Sequence, residues 1–136
     1  MKIEDATLLV IEDDAVMRMY VVNLLRRLGV TQVCEAADGN TGLTMVENFR
    51  PDIVLSDIHM APMNGLEFVK CLRQHRMIEL RKTPVLIMSA DSGTDMLNEA
   101  MPLGIAGYIV KPPNVLAMKT KLEQVLKFRE SRSAMA

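Results

Sequence analysis

The chain has 136 residues, enough for one compact domain with a real core. Hydrophobic residues make up 49% and charged residues 24%, and the formal net charge of -1 gives no electrostatic reason to expect nucleic-acid or membrane binding. No apolar run approaches the roughly 18 residues of a membrane span, and Met-Lys-Ile-Glu-Asp is not a signal peptide. The two cysteines, Cys34 and Cys71, lack CxxC or metal-ligand spacing and are expected as reduced, buried side chains in a cytoplasmic protein.

"TLLVI" (7–11) is a short β-branched run without polar alternation, which predicts a strand covered on both faces. "AVMRMYVVNLLRRLG" follows with Met17, Val21, Leu24, Leu25 and Leu28 at helical spacing and Gly29 placed as a C-terminal cap. "QVCEA" reads as a second strand and "TGLTMVENF" as a second helix. "DIVLS" is a third apolar strand, and "GLEFVKCLRQH" a third helix. "TPVLIMS" is the fourth strand, with "DMLNEAMPLG" a helix that Asp95 caps and Gly104 ends. "GYIV" is the fifth strand, and "NVLAMKTKLEQVLKFRES" the last helix, capped by Asn114, with only "SRSAMA" frayed. Five strands that read as buried on both faces, alternating with five helices, predict right-handed crossovers and a doubly wound parallel α/β sheet. The twelve methionines read as core and helix filler.

In open parallel sheets, ligands bind beyond the carboxyl ends of the strands. The first strand ends in Glu12, Asp13 and Asp14, the third in Asp57, the fourth in Ser89 and Ala90, and the fifth in Lys111 and Pro112. Each alone has a bland explanation. An acid after a strand caps a turn or a helix, "EDD" complements a helix N-terminus, and a lone lysine or serine is a solvated loop residue. Their conjunction on one edge, from four separate strands, points to chemistry. Asp13 and Asp57 are hard oxygen ligands suited to Mg2+, Glu12 can hold one of its waters, and a carboxylate such as Asp57 is a nucleophile for phosphoryl transfer. Lys111 can pair with a phosphate oxygen as a point charge, and the Ser89 hydroxyl can donate to another. His59, isolated from other ring ligands, is expected to offer a metal its backbone carbonyl rather than its imidazole.

"LLVIEDD", "PDIVLSDIHMAPMNGLEFV", "TPVLIMSAD" and "GYIVKP", in this order, resemble a response-regulator receiver domain of the CheY-like single-domain type, across essentially the whole chain. The resemblance implies a flavodoxin-like sheet of order 2-1-3-4-5 and one receiver domain over 1–136, its core about 6–130. It implies Asp57 as phosphoacceptor, Glu12 and Asp13 as the acidic pair for Mg2+, and a third protein ligand from the His59 backbone carbonyl. It also implies Ser89, with Ala90 beside it, as the switch hydroxyl, Tyr108 as the switch aromatic, and Lys111 as the phosphate-binding lysine, with Lys111-Pro112 a candidate cis peptide. The pattern departs at Ala61, where the family usually has the proline that stands here as Pro62, and at Pro113, where an aromatic is common. His59 and Asp91 occupy the two variable positions beside the site.

With these residues, the resemblance implies a phosphorylation-activated switch that receives phosphoryl from a sensor histidine kinase or a histidine phosphotransfer protein. Its only expected catalysis is self-phosphorylation and autodephosphorylation. Its downstream target is expected on the face of the fourth helix, fifth strand and fifth helix, spanning Asp95 to Leu103, Ala106 to Val110 and Val115 to Phe128. Direct DNA binding is not expected, since no helix-turn-helix or basic stripe follows the last helix. Two alternatives remain in other classes: a phosphorylation-independent adaptor, and a metal-dependent phosphohydrolase with Asp57 as nucleophile. The second needs a substrate cap that these short loops do not supply.

Overall fold

Five parallel strands, β1 (Thr7–Ile11), β2 (Gln32–Ala36), β3 (Ile53–Asp57), β4 (Val85–Ser89) and β5 (Gly107–Val110), form one sheet in the order β2-β1-β3-β4-β5. The connections carry helices α1 (Ala15–Arg27), α2 (Gly39–Phe49), α3 (Gly65–Arg73), α4 (Asp95–Ala100) and, after β5, α5 (Val115–Met135). This computed structural model describes residues 1–90 and 95–135, with side chains through Arg129; Asp91 lies outside the described residues.

Alternation along the strands divides the core into two layers. Leu8, Val10, Ile53, Leu55, Leu86 and Met88 face one side and pack with Val21 and Leu25 of α1 and Met118 and Leu122 of α5. Leu9, Ile11, Val54, Val85 and Ile87 face the other and meet Val46, Phe68, Leu72 and Leu97 from α2, α3 and α4. Each such side chain contributes about 1.5–3 kcal/mol by leaving water, which is why the central strands need uninterrupted apolar runs. Every residue of β3 and β4 is buried. The expectation of two-sided cover fails at the edges, where β2 and β5 each have one neighbour and are partly exposed. For the same reason Cys34, on β2, is only half-buried; Cys71 is exposed on the surface of α3, so both are free but neither is the buried side chain expected.

Helix ends follow local chemistry. The Asp14 carboxylate accepts from Met17 N at 2.9 Å, Asn64 and Glu67 form a reciprocal capping box, and Asn114 Oδ1 accepts from Ala117 N at 2.7 Å. Gly29 follows α1 at φ +97, as its place in the sequence predicts. Several boundaries differ from expectation. Asp95 is a helical residue rather than a cap, and α4 gives way to a 3-10 turn over Met101–Leu103, because Pro102 lacks the N–H and crowds the preceding turn. Gly104 then ends that turn in the left-handed conformation at φ +74. α3 stops at Arg73, since His75 leaves the helix to bond Glu47 through Nε2 at 2.8 Å and to accept from Met77 N at 3.0 Å. α5 continues through Met135, past the segment expected to fray, as no glycine or proline interrupts the sequence after Asn114. Two further 3-10 turns, Ile3–Asp5 and Ile78–Lys82, carry no sequence-based expectation. No helix among the described residues is long and apolar enough to cross a membrane.

Candidate functional site

Strand register brings the charged ends together. Ile11 pairs with Ser56, Asp57 with Met88, and Ser89 with Val110, so Glu12, Asp57 and Lys111 emerge along one edge of the sheet. Backbone bonds carry the ladder one residue further: Glu12 N to Ala36 O at 3.0 Å, Ile58 N to Met88 O at 3.2 Å, and Lys111 N to Ser89 O at 2.8 Å. The backbone at these positions is therefore as rigid as the strands. Arg18, one turn into α1, adds a side-chain brace by donating to the Glu12 carbonyl at 2.7 Å and pairing with Glu35 at 3.3 Å.

Asp57 is the last residue of β3 and 6% exposed, Glu12 is fully buried, and Asp13 is exposed. One carboxylate oxygen from each lies within 4.8 Å of the others. The Lys111 ammonium joins them, donating to Glu12 Oε1 and lying 3.1 Å from Asp57 Oδ1. This cation answers the cost of placing two carboxylates in a nearly dry pocket. The balance is incomplete. Burial raises the Glu12 carboxyl to about 7, with the nearby Asp57 adding to the rise and Lys111 opposing it. Burial works to lower the Lys111 ammonium, yet the two carboxylates outweigh it and hold its pKa above the ordinary value.

The other Glu12 oxygen, Oε2, is buried with no hydrogen-bond partner among the described residues. An orphaned buried oxygen beside two further carboxylates is the donor set of a hard cation that keeps its own waters, with Glu12 left to accept from one of them. The residues present therefore fit Mg2+.

The structure brings together Glu12, Asp13, Asp57 and Lys111 as predicted, and assigns Asp14 elsewhere, to the α1 cap. Ser89, fully buried, ends β4 on the same edge, and Ala90 beside it is exposed. His59 is exposed in the loop after β3, and its N–H makes a long 3.4 Å contact with Asp57 Oδ1. Lys111-Pro112 is cis, the isomer expected from the resemblance; Ala61-Pro62 is cis as well. Tyr108 pairs with Ile87, which places it on the sheet face of Ser89, two residues further back, and leaves it 37% exposed. Two residues near the site escape a reading of the sequence: Arg18, and Tyr20, whose hydroxyl donates to Pro113 O at 2.7 Å. Their bonds end on backbone carbonyls, which carry no sequence signal.

The model of the response regulator receiver domain matches residues 8–123. The chain belongs to that family, the phosphorylation-activated modules of two-component signalling. It is 35% identical over 118 residues to the chemotaxis protein CheY of Pseudomonas aeruginosa, covering 87% of this chain and 94% of that one. It is 37% identical to CheY-3 of Vibrio cholerae, covering 87% and 89%. The crystal structure of Vibrio cholerae CheY4 superposes with a TM-score of 0.79 at 32% identity, over 88% of this chain and 98% of that one.

Proposed function

We propose that Asp57 accepts a phosphoryl group from the phosphohistidine of a sensor histidine kinase or histidine phosphotransfer protein, and that the phosphorylated chain binds its target through α4, β5 and α5. One observation carries this reading: a lysine ammonium spans a buried glutamate and the terminal aspartate of a buried strand, with a third carboxylate open to solvent beside them. A purely structural acid at that position would need no such set, which weighs against a phosphorylation-independent adaptor. The short connections between elements weigh against a phosphohydrolase.

In the proposed step, an Asp57 oxygen forms a bond to phosphorus as the phosphorus–nitrogen bond to the donor imidazole breaks. The imidazole leaves with the bonding pair and is neutral once protonated. Glu12, Asp13 and Asp57 would hold Mg2+, together with the His59 carbonyl, and the ion would offset repulsion between carboxylate and phosphoryl. Lys111 exchanges its contact with Asp57 for a phosphoryl oxygen, and the Ser89 hydroxyl donates to another. That draws the end of β4 toward Asp57 and vacates space into which Tyr108 turns. The phosphoryl group biases this equilibrium only by its different affinity for the two arrangements. The chain would catalyse only its own phosphorylation and dephosphorylation, and would act in the cytoplasm, where such kinases present their phosphohistidines.

Reaction with a small acyl phosphate and Mg2+, followed by borohydride reduction and peptide mapping, tests the acceptor: the reduced residue is expected at 57, and modification at any other carboxylate contradicts the reading. For the readout, Tyr108→Ala is expected to lower the phosphorylation dependence of target binding while leaving phosphoryl uptake intact. Unchanged dependence would remove Tyr108 from the switch.

The metal site has its own test. Asp13→Asn relieves like-charge crowding, so it is expected to raise Tm by a few degrees without Mg2+, about 1 kcal/mol of stability. It should also lose most of the stabilisation that millimolar Mg2+ gives the wild type in the same thermal scans. Equal Mg2+ stabilisation of both proteins would exclude Asp13 as a ligand.

A further inference from the structure

Lys111 is followed by two prolines, and the segment between β5 and α5 is short of ways to hold itself in place. Pro112 and Pro113 have no backbone N–H, so neither can donate to a neighbouring loop or strand. Just past the end of β5, Lys111 N donates to Ser89 O at 2.8 Å, the last backbone bond before the prolines among the described residues. The next anchor is Asn114, which caps α5 through Ala117 N and Met118 N. Pro113 is buried and so held by packing, but any hydrogen bond that fixes the intervening segment must be donated from elsewhere to a carbonyl. The Tyr20 hydroxyl does so: it donates to Pro113 O at 2.7 Å across 93 positions of sequence.

Tyr20 is well placed for the task. It lies on α1 immediately before Val21, which is fully buried against the α5 side of the sheet together with Leu24, Leu25 and Met118. Its backbone is therefore set by the core, while its ring stays 43% exposed and spans the surface from α1 to the start of α5. A tyrosine on a solvated helix face ordinarily gives its hydroxyl to water. Here the hydroxyl is committed to the one carbonyl that follows both prolines. Lys111 stands two residues before that carbonyl and must carry its ammonium to Glu12 and Asp57.

We propose that Tyr20 is a positioning residue for Lys111: its hydroxyl, bonded to Pro113 O, fixes the donor-free segment after β5 and so keeps the lysine ammonium over Asp57. The inference deepens the receiver reading and rests on Lys111 meeting the phosphoryl group there. Together with Arg18 on the Glu12 carbonyl, it makes α1 the common support of both loops whose side chains form the ion pair. Among the described residues no hydrogen bond joins Tyr20 to Asp57; it acts through the loop.

Tyr20→Phe keeps the ring and removes only the hydroxyl. Native-state hydrogen exchange in the metal-free protein reads the loop directly. The Lys111 amide is expected to exchange about three- to tenfold faster than in wild type, the factor that one neutral hydrogen bond represents, with Leu9 and Leu55 amides unchanged. At saturating Mg2+ the rate of phosphoryl uptake from a small acyl phosphate should fall by a similar factor, while Mg2+ affinity stays the same, since the three carboxylates are untouched. An unchanged Lys111 amide, or a uniform acceleration of all amides that marks a merely structural role, overturns the proposal. So does a slower uptake accompanied by an unchanged Lys111 amide. If the wild type takes up no phosphoryl, the receiver reading fails separately, and the exchange result still decides whether Tyr20 holds Lys111 in place.

Discussion

Lys111→Met is expected to destabilise the metal-free protein by about 2 kcal/mol at pH 8 and by only about 1 kcal/mol at pH 6, a difference set by who holds the proton in the pocket. In the wild type, burial holds the Glu12 carboxyl near 7 against an ordinary value of 4.5. A folded-state value above the unfolded one means that the folded chain binds the extra proton between those two pH values. Stability is thus fully retained below about 4.5, declines as pH rises through the window by up to about 3 kcal/mol, and levels off above 7. Lys111 restrains that decline by favouring the ionised glutamate. Without the ammonium, the Glu12 carboxyl moves higher still, so the loss of stability continues past 7 where the wild type has levelled. Near pH 6 Glu12 is largely protonated in both proteins, and the variant gives up mainly the contact with Asp57. Urea unfolding at the two pH values measures this. A deficit of equal size at both would mean that Lys111 is not the counter-ion of Glu12.

Gly65→Ala is expected to cost about 3 kcal/mol and to disable the site at once, for a reason that lies in the backbone. A Cβ at Gly65 would stand 2.4 Å from Asp57 O and 2.8 Å from Ile58 Cα. Neither atom is the movable end of a side chain. Asp57 O belongs to β3, and Gly65 N donates to Ile58 O at 2.9 Å, closing the loop on itself. Relief must come from moving the start of α3 or the end of β3, and the second displaces the Asp57 carboxylate. The variant is therefore expected to lose phosphoryl uptake beyond what its lower Tm alone explains. A well-folded Gly65→Ala protein with wild-type uptake would show that the loop has slack the geometry denies it.

How much of the fold is legible in the sequence depends on the kind of force at work. β1, β3 and β4 are legible because burial on both faces demands unbroken apolar runs, and Asp57 stands out because a charge ends one of them. β2 and β5 can be found as strands, but not their exposure, since edge position is a property of strand order and not of a five-residue segment. Glu12, Asp13 and Asp14 form one acidic run in the sequence, and the turn into α1 is what turns Asp14 to the cap and leaves the other two at the site. The Pro102 break in α4 is visible in principle, and the apolar spacing around it masks it. Least legible are the side chains that bind distant backbone carbonyls. Arg73 donates to Leu103 O, Arg81 O and Thr83 O at 2.8–2.9 Å, and Tyr20 reaches Pro113, contacts that exist only after the chain has folded.

Intact-mass spectrometry is the shortest route to deciding whether Asp57 is a phosphoacceptor, with wild type and Asp57→Asn incubated with a small acyl-phosphate donor, with and without Mg2+. The wild type is expected to gain one phosphoryl group, dependent on Mg2+ and absent from the variant. An equal gain in Asp57→Asn, or a wild type that binds Mg2+ and stays unmodified by both the acyl phosphate and a phosphohistidine donor, would contradict it.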